Sequence, residues 1–183
     1  PSFETSVKRR NLCRSYAVSR TSKRLLKNLG VWGRLSEKFE PIKKIILSEL
    51  NNKKMDLTRL AEFYLQDDSE EPTSYMVEDF EIRNALNLKL RACKNLEILT
   101  DCKVLNEEVA KGGSLIRLEK DEKIFTSLFI ICDGPKSNIA KAINKKFIIK
   151  DYNQVAIVTN VIHRNKHKGE AHQVFFSGGP IAS

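Results

Sequence analysis

The stretch Leu128–Ser137, with the sequence LFIICDGPKS, decides the predicted fold. Its apolar run has the length of a buried strand and ends abruptly at Asp133 and Gly134, and Ser137 follows three residues after the glycine. This pattern is typical of a parallel strand that carries a carboxylate and a glycine turn to the carboxyl edge of an α/β sheet, where ligands bind.

These residues form the first candidate site. An aspartate can orient a ribose or a phosphate by hydrogen bonding, and a glycine lets the backbone approach a ligand closely. We therefore predict that Asp133, Gly134 and Ser137 contact a cofactor. The residues also leave open an ordinary strand-to-helix turn, in which Asp133 caps the following helix.

Arg14 is the second candidate for a cofactor contact. It begins the semi-apolar segment Arg14–Ser19, just before the first predicted helix. The planar guanidinium of an arginine in this place can bind a diphosphate or reach a ribityl chain. The alternative is a surface ion pair, which contributes little to stability.

The rest of the chain predicts helices, parallel strands and an antiparallel meander, so the predicted fold class is α/β (α+β). Thr21 or Ser22 caps a first helix that ends at Gly30, and a longer helix covers about 79–92. Residues 56–65 fit either a helix or a strand. The predicted strands are 42–47, 96–99, 103–109, 114–119, 124–132, 152–163 and 171–176, with a short helix at 137–144 and a closing turn at 178–180.

The composition predicts a globular protein of the cytoplasm. Of its 183 residues, 41% are hydrophobic and 30% are charged. No apolar run approaches the about 18 residues that a membrane span requires. The first ten residues are polar and basic, which is unlike a signal peptide.

No metal site is predicted. The four cysteines show no Cys-x-x-Cys spacing and no nearby histidine, which suits a reducing compartment. His163 and His167 share a loop rich in lysine and arginine, whose positive charges disfavour a bound cation.

The net charge of +9 comes from 32 lysines and arginines against 23 aspartates and glutamates. Such a balance is typical of nucleic-acid binding, but here the basic residues are scattered and are not interleaved with aromatic residues. We therefore expect a solvated basic surface and no nucleic-acid partner. A non-catalytic module that binds nucleic acid or an anionic membrane surface stays open as an alternative function.

Four segments agree in type and order with one protein family. They are Arg14–Ser19 with Leu25–Trp32, Tyr75–Glu78 with Arg83–Leu86, Cys132–Ser137, and Tyr152–Val158 with His167–Ala171 and Gly179–Ala182. Together they resemble the flavin-dependent aromatic hydroxylases of ubiquinone biosynthesis, the polyprenyl-methoxyphenol hydroxylase family. This family is a branch of the para-hydroxybenzoate-hydroxylase-like FAD monooxygenases.

The resemblance implies FAD as the cofactor, NAD(P)H as the reductant, and O2 and a polyprenylated phenol as substrates. Arg14 matches an arginine that contacts the flavin nucleotide, and Asp133 and Gly134 match an Asp-Gly motif near the FAD diphosphate, with Ser137 just after it. Because the cofactor performs the difficult chemistry, no catalytic residue is predicted. The resemblance also implies a ubiquinone-biosynthesis complex and at most peripheral association with the inner membrane.

The resemblance divides the chain into an incomplete FAD-binding domain at 1–150, with an insertion near 36–78 that joins the substrate sheet, and the start of that sheet at 151–183. The GxGxxG segment of the family is expected before the first residue and its Gly-Asp motif after the last. These expectations predict an internal fragment that does not retain FAD by itself at micromolar concentration. Ala140 stands where many members have an arginine, and an inactive remnant is a further alternative.

Overall fold

The computed structural model describes residues 14–35, 37–51, 56–64, 71–134, 137–143, 148 and 150–183. The elements in chain order are β1 (Ser15–Ser19), α1 (Arg20–Asn28), β2 (Phe39–Ile42), β3 (Lys44–Asn51), β4 (Asp56–Tyr64), β5 (Ser74–Glu78), α2 (Asp79–Arg91), β6 (Val104–Ala110), β7 (Gly113–Leu118), β8 (Lys123–Thr126), α3 (Asn138–Ala142), β9 (Glu170–Phe176) and β10 (Gly179–Ala182). This mixture of helices and sheets confirms the predicted class.

The chain forms two compact units. The first, which we call the meander unit, consists of the described residues of Glu97–Ala156. The second, the two-sheet unit, consists of the described residues before position 97 together with Ile157–Ser183.

The first sheet of the two-sheet unit has the strand order β1-β5-β2, with antiparallel pairing throughout. α1 follows β1 directly because Ser19 caps the helix, with its Oγ accepting a hydrogen bond from the Ser22 N–H at 3.2 Å. The cap therefore lies earlier than the predicted Thr21 or Ser22. Gly30 follows the helix in the left-handed region, with φ at 69°, as its role as a helix terminator requires.

The core of the two-sheet unit packs the first sheet against α2 and the 3₁₀ turn Trp32–Leu35. The rings of Trp32, Phe39 and Tyr75 lie 5.0–5.2 Å apart between centroids, a spacing that favours aromatic pairs. This core fixes the end of β1 and the start of α2. The buried residues of the core are Val18, Val31, Trp32, Leu35, Tyr75, Val77 and Ala85.

The second sheet has the strand order β10-β9-β3-β4. β3 pairs antiparallel with β4 and parallel with β9, so strands from two distant parts of the chain share one sheet. Residues 56–65 fit either a helix or a strand by sequence, and Asp56–Tyr64 thus form the strand β4, because β3 supplies the hydrogen-bonding partner. The closing turn predicted at 178–180 lies instead at 177–178, where it joins β9 to β10, and Gly179–Ala182 pairs with β9 as a strand.

The meander unit confirms the predicted antiparallel hairpins, with the order β6-β7-β8. A Cβ on Gly113 would lie 2.1 Å from the carbonyl oxygen of Thr126, so the close approach of β7 and β8 depends on a glycine there. α3 lies against β6. The buried apolar residues of the unit are Ile116, Leu118, Ile139 and Ala140.

Two predicted strands are wrong, and a third is shorter than predicted. Residues 96–99 and 152–163 form no strand, and the third strand of the meander ends at Thr126, so the apolar run after it is not a buried parallel strand. Leu128 is 70% exposed and Val155 is 93% exposed. Apolar and β-branched residues favour an extended backbone, but a strand also requires a neighbour for its N–H and C=O groups, and no described strand lies beside these segments.

Candidate functional site

Arg14 lies at the start of β1 with its side chain exposed. Its guanidinium carbon is 5.1 Å from the centroid of the Tyr16 ring, within the range of a cation–π contact. Its carbonyl oxygen accepts a hydrogen bond from the backbone N–H of Asp79 at 3.0 Å. The backbone and the side chain of Arg14 are therefore both held, and its charge faces solvent.

The carboxylate of Asp79 is the centre of this cluster. Asp79 is the first residue of α2 and is only 5% exposed. Its Oδ1 accepts a hydrogen bond from the Tyr16 hydroxyl at 3.0 Å, and its Oδ2 accepts one from Arg83 Nε at 2.7 Å. We call Arg14, Tyr16, Asp79 and Arg83 the Arg14 cluster.

The cluster shifts the titration of its members. Burial opposes ionisation of the Asp79 carboxyl, but the hydrogen bonds from Arg83 and Tyr16 outweigh it, so the pKa of Asp79 lies below its usual value. Burial and the hydrogen bond to Asp79 raise the pKa of Tyr16. Asp79 is thus an anion and Tyr16 a neutral donor at neutral pH.

The turn around Asp133 lies in the meander unit. Asp133 and Gly134 are exposed, and Gly134 has φ at 87°; among the described residues other than its chain neighbours, none has an atom within 4 Å of the position that a Cβ would take. Its carbonyl oxygen accepts a hydrogen bond from the N–H of Ser137 at 3.1 Å. A ligand can therefore approach the backbone of this turn closely.

Ser137, and not Asp133, caps the helix that follows. Its Oγ accepts a hydrogen bond from the Ala140 N–H at 3.0 Å, and the residue is buried. The alternative in which Asp133 serves as the cap is therefore wrong. The Asp133 carboxylate does not cap α3, and the hydroxyl oxygen of Ser137 is already engaged.

The structure brings Asp133, Gly134 and Ser137 into one turn, and it places Arg14 in the other unit. Sequence reasoning singled out these four residues but missed the supporting members of the Arg14 cluster. The spacing of Asp79 and Arg83, four positions apart in a predicted helix, was the available signal for their ion pair. Nothing in the sequence indicated that Tyr16 would join them.

An open groove of about 400 Å³ lies beside the start of β1. Its lining includes Ser15, the neighbour of Arg14, and four glutamates at positions 37, 40, 78 and 81. Lys38 also lines it and forms an ion pair with Glu81 at 2.7 Å. The groove accepts hydrogen bonds from hydroxyls or amines and repels anions, in contrast to the cationic side chain of Arg14.

The histidines have structural partners. His167 Nδ1 accepts a hydrogen bond from the Gly169 N–H at 3.0 Å, and its Nε2 lies 3.8 Å from the Glu40 carboxylate. His172 Nε2 lies 3.5 Å from the Glu170 carboxylate. Within the described ranges, no three metal-binding side chains are grouped as ligands.

Two curated proteins are similar to the chain along most of its length. It is 30% identical over 178 residues to the ubiquinone biosynthesis monooxygenase COQ6, mitochondrial, of Caenorhabditis elegans. It is 25% identical over 169 residues to the ubiquinone hydroxylase UbiL of Rhodospirillum rubrum. Each similarity covers 92% of this chain but only 37% and 38% of the relatives, so the chain spans little more than a third of their length. No protein-family model matches the chain.

Solved structures share the fold. The tetracycline destructases Tet(51) and Tet(55) superpose on 93% of this chain with TM-scores of 0.51 and 0.54, and the matched parts are 42% and 41% of those chains. The sequence identities are 10% and 9%, so the likeness concerns the fold alone. In the part of the chain that the structure describes, no helix is both long and apolar enough to cross a membrane. The resemblance predicted from the four segments is thus confirmed: the chain is homologous to part of these two proteins, which are named as a monooxygenase and a hydroxylase of ubiquinone metabolism.

Proposed function

We propose that the chain is part of an FAD- and NAD(P)H-dependent monooxygenase that hydroxylates a polyprenylated phenol in ubiquinone biosynthesis. The observation that carries this proposal is the similarity over 92% of the chain to two proteins, from an animal and a bacterium, that are named as a ubiquinone biosynthesis monooxygenase and a ubiquinone hydroxylase. The comparisons do not favour the alternative of a basic binding module or an inactive remnant.

The residues of both predicted contacts fit FAD. The exposed guanidinium of Arg14 is a donor for the diphosphate or the ribityl oxygens. The open backbone at Gly134 accepts a close ligand, and the Asp133 carboxylate can accept a hydrogen bond from a ribityl or ribose hydroxyl. We propose that Ser137 acts on the cofactor by holding this turn in place, since its hydroxyl oxygen caps α3.

FAD supplies the activated oxygen for ring hydroxylation when it is bound. The contribution of this chain is to bind and orient the cofactor and to keep water away from the phenol ring of the substrate. We propose that the second sheet contacts the substrate. β4 exposes Leu57, Leu60 and Phe63, each 54% accessible, which suit the apolar polyprenyl tail.

Complementation tests the proposed function. A bacterial strain that lacks a ring hydroxylase of ubiquinone synthesis is transformed with the intact gene that encodes this chain, and its quinones are analysed by mass spectrometry. We expect restored ubiquinone and loss of the under-hydroxylated polyprenyl phenol, and an Arg14→Ala variant with reduced yield. A strain that makes the folded protein yet still accumulates the precursor would contradict the proposal.

A further inference from the structure

The position of Arg14 depends on Asp79 through two separate contacts. The first is the hydrogen bond from the Asp79 N–H to the Arg14 carbonyl oxygen, which fixes the backbone. The second passes through Tyr16, whose hydroxyl binds Asp79 and whose ring lies against the Arg14 guanidinium. Both contacts end at the first residue of α2.

The Tyr16 ring packs against the core of the two-sheet unit and is held further by the hydrogen bond of its hydroxyl to Asp79. A tyrosine can rotate about two side-chain bonds, and the attraction between a cation and a ring requires the ring face to be presented to the cation. Tyr16 is half-buried, and its hydrogen bond to Asp79 joins residues 63 positions apart. Asp79 therefore helps to fix the ring face that the Arg14 guanidinium contacts.

Arg83 is the direct ion-pair partner of the Asp79 carboxylate. The carboxylate of Asp79 is compensated by Arg83 Nε at 2.7 Å, an ion pair within one helical turn. The side chain of Asp79 is only 7% exposed, so it needs a compensating charge. Arg83 supplies that direct contact, and the exposed Arg14 guanidinium, which lies over the Tyr16 ring, can bind an external anion.

We propose that Asp79 is a positioning residue that aims Arg14, through Tyr16, at an anionic or hydroxyl-bearing group of the flavin nucleotide. This inference rests on the proposed function, since it concerns the same cofactor contact. It assigns a role in cofactor binding to a residue that does not itself contact the cofactor.

The test uses the intact gene product with Asp79→Asn, which removes the charge, and Tyr16→Phe, which keeps the ring and the packing but removes the hydroxyl. Glu81→Gln is the matched control, because it removes an ion pair with Lys38 from the same first turn of α2. Arg14→Ala is the reference for complete loss of the contact. Circular dichroism confirms that each variant is folded.

The first readout needs no cofactor. The Nε–H resonance of Arg14 in the nuclear magnetic resonance spectrum, assigned with Arg14→Ala, carries a ring-current shift from Tyr16. We expect Asp79→Asn and Tyr16→Phe to move this resonance toward the position of an unstacked arginine, and Glu81→Gln to leave it in place. An unmoved resonance in both variants would overturn the proposal.

The second readout is the dissociation constant for FAD, measured by flavin fluorescence. We expect Arg14→Ala to weaken binding by about 10- to 100-fold, and Asp79→Asn by about tenfold. If Arg14→Ala weakens binding but Asp79→Asn and Tyr16→Phe do not, the positioning role fails while the proposed function stands. If the protein does not bind FAD, or if Arg14→Ala has no effect, the proposed cofactor contact itself fails.

Discussion

Arg14 and the turn Asp133–Ser137, the two places where we propose that the chain contacts FAD, are held in different ways. The Arg14 cluster joins β1 to α2 through hydrogen bonds between residues far apart in the chain. The turn is held by its own neighbours, with one backbone hydrogen bond and one helix cap. A buried network fails as a unit when one member is removed, whereas a local contact loses only its own contribution.

The largest effect is expected from Asp79→Ala. The substitution leaves the Tyr16 hydroxyl and the Arg83 guanidinium without the acceptor that both now use. We expect the free energy of unfolding to fall by about 2–4 kcal/mol in urea denaturation. Glu81→Ala, which breaks a more exposed ion pair with Lys38 in the same turn, is expected to cost under about 1 kcal/mol. Equal losses would show that Asp79 does not hold the cluster together.

Acid should weaken the same cluster, with a smaller effect than removal of the side chain. The pKa of Asp79 is lower in the folded chain than the value of about 3.9 for an unfolded one, so its contribution is complete above that pH and is lost as the pH falls through the folded pKa. We expect the difference in unfolding free energy between the native chain and Asp79→Asn to shrink below about pH 4. If the unfolding free energies of the native chain and of Asp79→Asn, plotted against pH, stay parallel down to strongly acidic pH, this expectation is contradicted.

The contrast between contacts made within a few positions and contacts made across the chain also explains which features the sequence could predict. The glycine turn at Gly134 and the short helix after Ser137 follow from residue preferences within a few positions, and both are present. The hydrogen bond between Tyr16 and Asp79 depends on the pairing of β1 with β5, which no local pattern encodes. The ion pair of Asp79 with Arg83 was readable from its helical spacing, but its burial was not.

Two apolar runs show that strands, too, depend on partners that the local sequence does not encode. Ile45–Leu47 became the centre of a sheet because β4 and β9 pair on either side of it. The apolar run Leu128–Cys132 has similar residues, but no described strand pairs with it. Composition predicts an extended backbone in both cases, and only the tertiary partner decides whether a strand forms. For the same reason β4 is a strand although its residues also fit a helix.

At the Asp133 turn, removal of the helix cap should have a moderate effect. Ser137→Ala deletes the oxygen that accepts the Ala140 N–H, and a lost cap costs about 1 kcal/mol. Thermal unfolding followed by circular dichroism measures this, and Ser137→Asp is the control because aspartate is also a good cap. We expect Ser137→Asp to keep most of the stability. A loss as large as that of Asp79→Ala would mean that this turn, too, belongs to a network.

An effect on stability no larger than that of Ser137→Ala is expected from Gly134→Ala. The residue has φ at 87°, which an alanine adopts at a cost of about 1 kcal/mol, but a Cβ there meets no atom of the other described residues within 4 Å, its chain neighbours aside. Gly33→Ala is the control, because Gly33 has equal space around it and no positive φ.

The same methyl group should nevertheless weaken FAD binding, since it occupies the space through which we propose that the cofactor approaches the backbone. We expect the ratio of lost affinity to lost stability to be higher for Gly134→Ala than for Asp79→Ala. Fluorescence titration and urea denaturation of both variants of the intact gene product give this ratio. A higher ratio for Asp79→Ala than for Gly134→Ala would mean that the turn near Asp133 serves the fold and that FAD binds elsewhere.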